Sequence, residues 1–537
     1  MRQRLGTVIT GSLADGFQVR LEQHVPPEQL KTGHFVVLAG QQYRFFSLVT
    51  DLKLEVANPE ILLAPPQAQE TLLQAVLCQQ DIFLTAQIKP VIMLDQQQRL
   101  APVKTIPPHF APVYAASDQD VALIFGAENQ HPKYFAIGRP LDMTASVCLD
   151  LERLVERSNG IFGKTGTGKT FITRLILAGV MQKQKAVNLI FDMHSEYGLQ
   201  ARTETAGSSF VRGLKSLFPE RVAIFTLDPA STRRRGGAPD VTVSIAYQDI
   251  KVEDIMALQA ELNLHSTALE SAYLLAAKYK QQWLVELLRV GGEQAKELAQ
   301  EVGAHPESIA ALYRKLRKIE QLPFFSATPT ATQPVIEELL AYLSRGISVV
   351  IEFGNYTTSF VYLLIANLIT RRVHAAYIQQ TELFLGQQGP APQQLLITIE
   401  EAHKFLNPVA ARQTIFGTIA REMRKYYVSL LIVDQRPSGI EPEILSQVGT
   451  KIVAQLSDEQ DIQAVLTGVS GSGGLKTILA TLDSRQQALV FGHAMPMPVL
   501  IETREYGPQF YREVLAAPGA VTPTPALVPD LIRELYP

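Results

Sequence analysis

The chain has 537 residues, of which 46% are hydrophobic and 19% are charged. This composition is that of a globular protein with two or three domains, and it excludes an intrinsically disordered chain. A net charge of -3 excludes a uniformly basic surface, although a locally basic pore would not alter that sum. Cys78 and Cys148 have neither metal-site nor disulfide spacing, and no apolar run is long enough to span a membrane. We therefore expect a cytoplasmic protein.

The first 145 residues carry a pattern of short strands. Apolar segments rich in β-branched and aromatic residues recur between turn residues, at positions 6–10, 17–21, 35–38, 45–49, 90–94 and 121–125. Closely spaced short strands of this kind are typical of a small antiparallel barrel. We therefore predict an N-terminal β-barrel over residues 1–145.

From residue 146 the pattern changes to apolar strands that alternate with long helical segments, which is typical of a parallel sheet covered by helices on both faces. We predict an α/β domain over residues 146–515. Within it, residues 250–325 show helical spacing of Leu, Ala and Ile and no strand pattern, which predicts an all-helical insertion. The sequence assigns no chemistry to this insertion. Residues 516–537 contain several prolines and are expected to form a C-terminal arm.

Eight consecutive residues fit the phosphate-binding pattern G-x-x-x-x-G-K-[ST], and they lie between an apolar strand and a helical run. In such a loop the backbone N–H groups converge on phosphate oxygens, the lysine reaches the β- and γ-phosphates, and the last hydroxyl ligates Mg²⁺. A chance match in a glycine-rich turn is the alternative, but the flanking strand and helix favour a site for ATP and Mg²⁺. The loop consists of Gly163, Lys164, Thr165, Gly166, Thr167, Gly168, Lys169 and Thr170.

A second segment supplies the carboxylates that a phosphate-binding loop requires. The apolar strand 395–399 is followed by Glu400 and Glu401, and α/β sheets bind their ligands at the carboxyl ends of strands. We assign Glu400 to the Mg²⁺ shell and Glu401 to polarising the attacking water. His403 either relays the state of the γ-phosphate or is a structural histidine.

Two more strand ends carry polar side chains. Gln435 follows the strand 429–433, and its amide can donate to and accept from a γ-phosphate group. Asp192 and Glu196 lie at the end of the strand 188–192, and we predict that they support the site from behind its direct ligands. For each of these residues, capping of the local backbone is the alternative.

In this order the motifs resemble the HerA branch of the FtsK-HerA ATPases. The matching segments are 157–170, 191–198, 399–406, 420–426 and 434–438, and the resemblance extends over nearly the whole chain. The phosphate-binding loop is shared by many NTPases, whereas the pattern Asp-x-His-x-Glu-Tyr and the pair Glu-Glu-Ala-His and Arg-Glu-x-Arg-Lys are more specific. The resemblance implies an α/β fold with a RecA-like P-loop NTPase core and an N-terminal small β-barrel. The inserted helical subdomain predicted from the apolar spacing lies within that core.

By this resemblance, Glu401 is the catalytic acid and Gln435 is the sensor of the γ-phosphate. Arg157 and Arg424 match positions that reach the γ-phosphate, at least one of them from a neighbouring subunit, and Arg421 is a rival of Arg424. A guanidinium fixed at the developing phosphate charge stabilises the transition state.

Three residues depart from those common in the family, and they put the turn around Arg424 in doubt. Met423 and Tyr427 stand where relatives commonly have glycine, and Asp434 stands where a small hydroxyl residue is frequent.

The resemblance also implies a homohexamer that pumps double-stranded DNA and works with a nuclease such as NurA. Candidate DNA contacts are a basic cluster and a lysine at the end of the glycine-rich segment 470–476, and a solvated surface loop is the alternative for both. These residues are Arg233, Arg234, Arg235 and Lys476. Two other functions stay open: an ATPase that remodels protein complexes, and a nucleotide-gated scaffold without DNA pumping.

Overall fold

The computed structural model describes residues 2–63, 77, 82–202, 210–290, 294–327, 334–422, 425–469, 473–483 and 486–516. The chain forms two compact units. The first consists of Met1–Thr173 and Thr370–Arg504, and the second consists of Arg174–Ile369 and Glu505–Pro537. Among the helices in the described ranges, none is both long enough and apolar enough to cross a membrane.

The first unit begins with a closed antiparallel barrel of six strands. The strand order is β2-β1-β7-β3-β4-β5, and pairing of β2 with β5 closes the barrel, with Val19 opposite Ala86. A short seventh strand, β6, extends the edge of β5. The strands are β1 (Arg4–Ser12), β2 (Gly16–Leu21), β3 (Phe35–Ala39), β4 (Arg44–Val56), β5 (Ile82–Leu94), β6 (Leu100–Pro102) and β7 (Pro112–Ala115).

The barrel is filled by the inward side of its alternating strands. Val19, Leu38 and Val49 are each fully buried there, and burial of such a side chain contributes about 1.5–3 kcal/mol. Five of the six predicted strands are present. The alternation of apolar residues therefore predicted this barrel correctly, apart from its last segment and the two short strands β6 and β7.

The prediction of a strand at 121–125 is wrong, because these residues lie in helix α1 (Asp118–Phe125). A capping box starts this helix: Ser117 Oγ accepts from the Asp120 amide at 3.3 Å, and the Asp120 carboxylate accepts from the Ser117 amide at 3.0 Å. Val121, Ile124 and Phe125 then share the buried face at helical spacing. The cap outweighs the β preference of the apolar run.

The rest of the first unit is an α/β layer with strand order β19-β20-β10-β21-β22-β23-β8-β9. The first four of these strands are parallel, and the remaining pairings are antiparallel. The strands are β8 (Tyr134–Pro140), β9 (Val147–Asp150), β10 (Asn159–Phe162), β19 (Leu395–Glu400), β20 (Val428–Asp434), β21 (Thr450–Val453), β22 (Gln487–Gly492) and β23 (Val499–Thr503). The helices are α2 (Leu151–Val155), α14 (His403–Leu406), α15 (Ala410–Gln413), α16 (Ile415–Glu422), α17 (Pro442–Gln447), α18 (Glu459–Val465) and α19 (Gly473–Ala480).

The boundaries between the two units fall within two long helices. The first boundary, after Thr173, lies in α3 (Lys169–Gln182), and the second, after Ile369, lies in α13 (Ser359–Leu385).

The second unit has a parallel sheet of four strands in the order β15-β14-β18-β11. Its strands are β11 (Val187–Asp192), β14 (Val222–Thr226), β15 (Val241–Thr242) and β18 (Ser348–Glu352). Two short pairs are formed by β12 (Ala201–Arg202) with β13 (Phe210–Val211), and by β16 (Ile245–Ala246) with β17 (Phe325–Ser326). The helices outside the insertion are α4 (Leu214–Leu217), α5 (Pro229–Arg234), α12 (Val335–Ser344) and α20 (Pro508–Ala516).

Between β16 and β17 the described chain is helical, as its apolar spacing predicts. The helices are α6 (Val252–Met256), α7 (Gln259–Leu262), α8 (Ser266–Tyr279), α9 (Trp283–Val290), α10 (Ala295–Val302) and α11 (Pro306–Leu316). Trp283 is the single tryptophan of the chain; it is buried in this bundle and donates its indole N–H to the Ile250 carbonyl at 2.9 Å. The predicted fold class is confirmed: an α/β core, an N-terminal barrel and an inserted helical subdomain. The proline-containing arm that we predict over 516–537 lies outside the described residues, apart from Ala516.

Candidate nucleotide-binding site

The loop 163–168 joins the carboxyl end of β10 to the first turn of α3. The Lys164 carbonyl is its internal anchor, since it accepts from Thr167 Oγ1 at 2.7 Å and from Lys169 Nζ at 2.9 Å. The Lys164 amide donates to the Gln455 carbonyl at 2.9 Å, which ties the loop to the residues that follow β21. The loop is therefore held in a defined shape by contacts within the first unit.

The glycines of the loop differ in their surroundings. Gly166 and Gly168 adopt left-handed backbone with φ of +80° and +90°, and no atom lies within 4 Å of the position a Cβ would take at either residue. At Gly163 a Cβ would meet Ala454 at 2.9 Å. Open space thus lies over the middle of the loop, whereas its start is packed. This shape and its backbone amides suit a bound phosphate chain.

The carboxyl ends of the parallel strands meet at one edge of the sheet, where the loop lies. Phe162 at the end of β10 is in register with Asp434 at the end of β20 and with Val453 of β21. Glu400 ends β19 in register with Val433 and is buried. The predicted acidic residues are therefore at the edge where α/β sheets bind ligands.

Glu401 has backbone strain that a functional position can explain. Its φ is +49°, in the left-handed region that side chains other than glycine rarely adopt. Such a conformation costs about 1–3 kcal/mol, and the surrounding structure must compensate for it. The turn directs the Glu401 side chain toward Gln435 on the neighbouring strand end.

Gln435 connects the phosphate-binding loop to Glu401. Its Oε1 accepts from Thr165 Oγ1 at 2.6 Å, and its Nε2 donates to Glu401 Oε1 at 3.0 Å. One amide therefore spans the distance between the loop and the acid predicted to act on water. The strand-end pattern predicted both Gln435 and Glu401, but it did not predict that Thr165 completes the contact.

Asp434 positions the loops of the site, whereas its sequence position indicated only a departure from the family that the chain resembles. Its buried carboxylate accepts from the His403 amide and from the Arg436 amide, both at 2.6 Å. It also contacts His403 Nδ1 at 3.0 Å. It therefore fixes the loops after β19 and β20 to each other. The signal available in the sequence was a carboxylate at a strand end, next to the predicted sensor.

His403 lies between two acids. Its Nε2 is 3.7 Å from Glu401 Oε2, while Nδ1 faces Asp434. The hydrogen bond to Asp434 raises the pKa of His403 above its ordinary value, against the opposing effect of burial. Both of its predicted roles, relay and structural residue, are compatible with this position.

The arginines predicted to reach the γ-phosphate differ in their surroundings, and one of them lies outside the described residues. Arg157 follows α2 and is exposed. Its aliphatic chain lies over Gly449, and it forms no ion pair with any residue in the described ranges. Arg424 and Met423 lie outside the described residues. Arg421 is engaged within its own chain: its Nη1 donates to the Ala411 carbonyl at 3.3 Å, and its Nε is 3.5 Å from Glu443.

Asp192 and Glu196 belong to the second unit. Asp192 is fully buried, and its carboxylate accepts from the amides of Glu196, Tyr197 and Gly198 at 2.7, 2.8 and 3.1 Å. Burial raises the pKa of Asp192, and the three amides oppose this shift. The Glu196 carbonyl accepts from Arg174 Nε at 2.8 Å. Asp192 thus organises the loop 193–198, which agrees with the capping alternative.

Glu352 is a second buried acid beside Asp192, and no motif indicated it. The two residues are in register at the ends of β18 and β11. Glu352 accepts from Thr232 Oγ1 at 3.0 Å and is 3.5 Å from Arg235 Nη1. Burial, and secondarily the Asp192 charge, raise the pKa of Glu352 to about 7. The sequence signal was a glutamate at the end of an apolar strand, the same signal that indicated Glu400.

The basic residues predicted to contact DNA are not equivalent. Arg233 and Arg234 are exposed in the last turn of α5. Arg235 pairs with Glu352 and donates to the Ser195 carbonyl at 2.5 Å, so its guanidinium is engaged inside the unit. Lys476 lies on α19 and not in a loop, and its Nζ is 2.6 Å from Glu459.

Comparison with known proteins agrees with this architecture. Residues 135–373 match the family model described as "Helicase HerA, central domain". The chain is 23% identical over 491 residues to the DNA double-strand break repair helicase HerA of Sulfolobus acidocaldarius, covering 89% of this chain and 90% of that protein. It is 23% identical over 419 residues to HerA of Pyrococcus furiosus, covering 72% of each.

Among solved structures, VirB4 of Thermoanaerobacter pseudethanolicus superposes with a TM-score of 0.45 and 13% identity, covering 70% of this chain and 97% of that one. The phosphate-binding loop and the strand ends around it define the class of protein: the chain is a P-loop ATPase. The predicted resemblance to the HerA branch is confirmed by the family model and by both relatives.

Replacement of Glu401 by Gln tests the role predicted for this acid. A neutral amide cannot polarise water as a carboxylate does, so we expect Glu401→Gln to lower kcat for ATP by about 100-fold or more. Binding of a fluorescent ATP analogue should be retained, whereas Lys169→Ala should lose both binding and turnover. Phosphate release measures turnover, and Glu28→Gln, an exposed glutamate of the barrel, is the matched control. Wild-type turnover by Glu401→Gln would refute the assignment.

The pH dependence of stability tests the environment of Glu352. Its pKa is raised from 4.5 in the unfolded chain to about 7 in the folded one, so the folded state binds more protons between these values and loses stability as pH rises through them. Glu352→Gln cannot ionise. By differential scanning fluorimetry, the difference between its melting temperature and that of the wild type should be smallest below pH 4.5 and should grow in favour of the variant up to about pH 7. A difference that does not vary with pH would contradict this, and Glu28→Gln should show no pH-dependent difference.

Proposed function

We propose that this chain is an ATP-driven, ring-shaped translocase or helicase for double-stranded DNA that works as a homohexamer with Mg²⁺, and that it cooperates with a NurA-like nuclease. The observation that carries the proposal is the contact from Thr165 through Gln435 to Glu401. It connects the loop that would hold the phosphates to the acid that would act on water. HerA helicases named for DNA double-strand break repair match over most of the chain.

Each residue around the loop would have a separate role in hydrolysis. Lys169 would reach the β- and γ-phosphates, and Glu401 would orient a water for in-line attack and take up its proton. Gln435 can hydrogen-bond either to Glu401 and Thr165 or to a γ-phosphate group. A bound γ-phosphate that takes over the Gln435 amide would therefore release Glu401, so that the acid acts only when ATP is in place.

The oxygen donors present fit a magnesium ion. Thr170 offers a hydroxyl in the first turn of α3, and Glu400 offers a buried carboxylate at the end of β19. Mg²⁺ is usually held by one or two protein oxygens together with phosphates and waters. When bound, Mg²⁺ would neutralise the charge that develops on the phosphates.

In the proposed ring, a neighbouring copy supplies a cation to the site. A γ-phosphate in transfer requires a cation beyond the loop lysine. The exposed Arg157 is available to a neighbouring copy, as its resemblance to an arginine finger implies, and Arg424 is the second candidate. A finger supplied by a neighbour makes hydrolysis depend on assembly.

The first test of the proposed function is ATP turnover with and without long duplex DNA over a salt series, with particle mass determined in parallel. We expect stimulation by DNA that fades as salt rises, because non-specific contacts to phosphates release counterions. The mass should be six times that of the 59.3 kDa chain. Turnover that ignores DNA would favour an ATPase that remodels protein complexes. Binding of ATP without turnover would favour a nucleotide-gated scaffold.

Mixing of two inactive variants tests the origin of the arginine finger. Arg157→Ala subunits retain Glu401, and Glu401→Gln subunits retain Arg157. If Arg157 acts on a neighbour, some interfaces in a mixed ring combine both residues, and turnover should recover to a measurable fraction of the wild type. If it acts within its own subunit, mixing recovers nothing. The same experiment with Arg424→Ala distinguishes the two candidate fingers, and Arg139→Ala, an exposed arginine of β8, is the control.

A further inference from the structure

Two consecutive helices of the insertion, α10 and α11, are joined by a tight turn. Helix α10 ends at Val302 and α11 begins at Pro306, so that only Gly303, Ala304 and His305 lie between them. A three- or four-residue turn that often contains glycine is the connection of the helix-turn-helix motif. The sequence pattern predicted helices here but did not predict how they are joined.

The turn is built by residues suited to it. Gly303 adopts left-handed backbone with φ of +73°, and the Ala304 amide donates to the Ala299 carbonyl at 2.8 Å, which closes α10. His305 then caps α11, since its Nδ1 accepts from the Glu307 amide at 3.3 Å. Pro306 occupies the first turn of the helix, where its missing N–H is not needed.

A third helix completes a three-helix unit. Helix α11 packs against both α10 and α8. Ala299 of α10, Ile309 and Leu312 of α11, and Ala272 of α8 are all fully buried. Small buried residues allow helices to approach closely. The pair α10 and α11 is therefore fixed as a rigid element of the bundle.

The outer side of α11 and the turn that follows it is basic. Between residues 306 and 321 the acidic residues are Glu307 and Glu320, while Arg314, Lys315, Arg317 and Lys318 are basic. None of these four cations forms an ion pair with a residue that the structure describes. Elsewhere in the insertion, Lys278 is paired with Glu301 and Arg289 with Glu286, each at 2.6 Å. The positive charge on α11 is thus available to an external partner.

We propose that α10 and α11 form a helix-turn-helix element that docks α11 onto duplex DNA through phosphate contacts. The inference rests on the proposed function for the identity of the partner, and it adds a contact that does not involve the nucleotide site. The middle of the outer face carries Ala310 and Ala311, which cannot hydrogen-bond to base edges. Because the cations lie at one end of the helix and no base-reading side chain lies at its centre, the docking is independent of DNA sequence.

The test is binding of a fluorescent 40-base-pair duplex to the full chain, by anisotropy without nucleotide and over a salt series. We expect Arg314→Glu with Lys318→Glu to weaken binding at least tenfold. The slope of log affinity against log salt should become shallower by about 2, because each lost phosphate contact accounts for about 0.9. Two duplexes of unrelated sequence should bind the wild type within threefold of each other. The matched control is Lys53→Glu with Lys104→Glu, which reverses two exposed charges on the barrel.

Basal ATP turnover without DNA and the melting temperature show whether each variant folds. If the charge-reversal variant does not fold, Arg314→Gln with Lys318→Gln takes its place. Binding by the α11 variants within twofold of the wild type would overturn the docking inference while the proposed function stands. A wild-type chain that hydrolyses ATP but binds no duplex would overturn both. A variant defect equal to that of the barrel control would show that only net charge matters, and would also overturn the inference.

Discussion

The buried carboxylate of Asp434 is the interaction on which the nucleotide site depends. It accepts from the backbone amides of His403 and Arg436, so that two loops at the ends of neighbouring strands cannot move independently. Glu401 begins one of these loops and Gln435 begins the other. Their contact therefore has a fixed geometry before any ligand binds. An active site preorganised in this way has little reorganisation left to do during the reaction.

Much of this site could be predicted because parallel strands place their carboxyl ends together. That rule requires only the position of each strand in the sequence, and it indicated Glu400, Glu401 and Gln435. What it could not supply is pairing between side chains far apart in sequence: Thr165 and Gln435 are separated by 270 residues. Asp434 differed from the residue usual in relatives, and its role became clear only from the amides that surround it.

The same limit explains the errors in secondary structure. Apolar periodicity predicted the barrel strands and the helical insertion, since burial of a face sets the spacing. It failed at 121–125, where the cap formed by Ser117 and Asp120 decides for a helix. It also overlooked Gly303, which ends one helix and redirects the chain into the next. Local hydrogen bonds at helix ends carry information that hydrophobic patterns do not.

The location of Trp283 has a practical consequence. It is the only tryptophan and lies inside the helical bundle. Fluorescence excited at the red edge of the indole band therefore reports on the insertion and not on the nucleotide site. A denaturation curve recorded by this emission therefore follows the bundle, whereas circular dichroism follows the whole chain. Divergence of the two curves would reveal whether the bundle unfolds as a separate cooperative element.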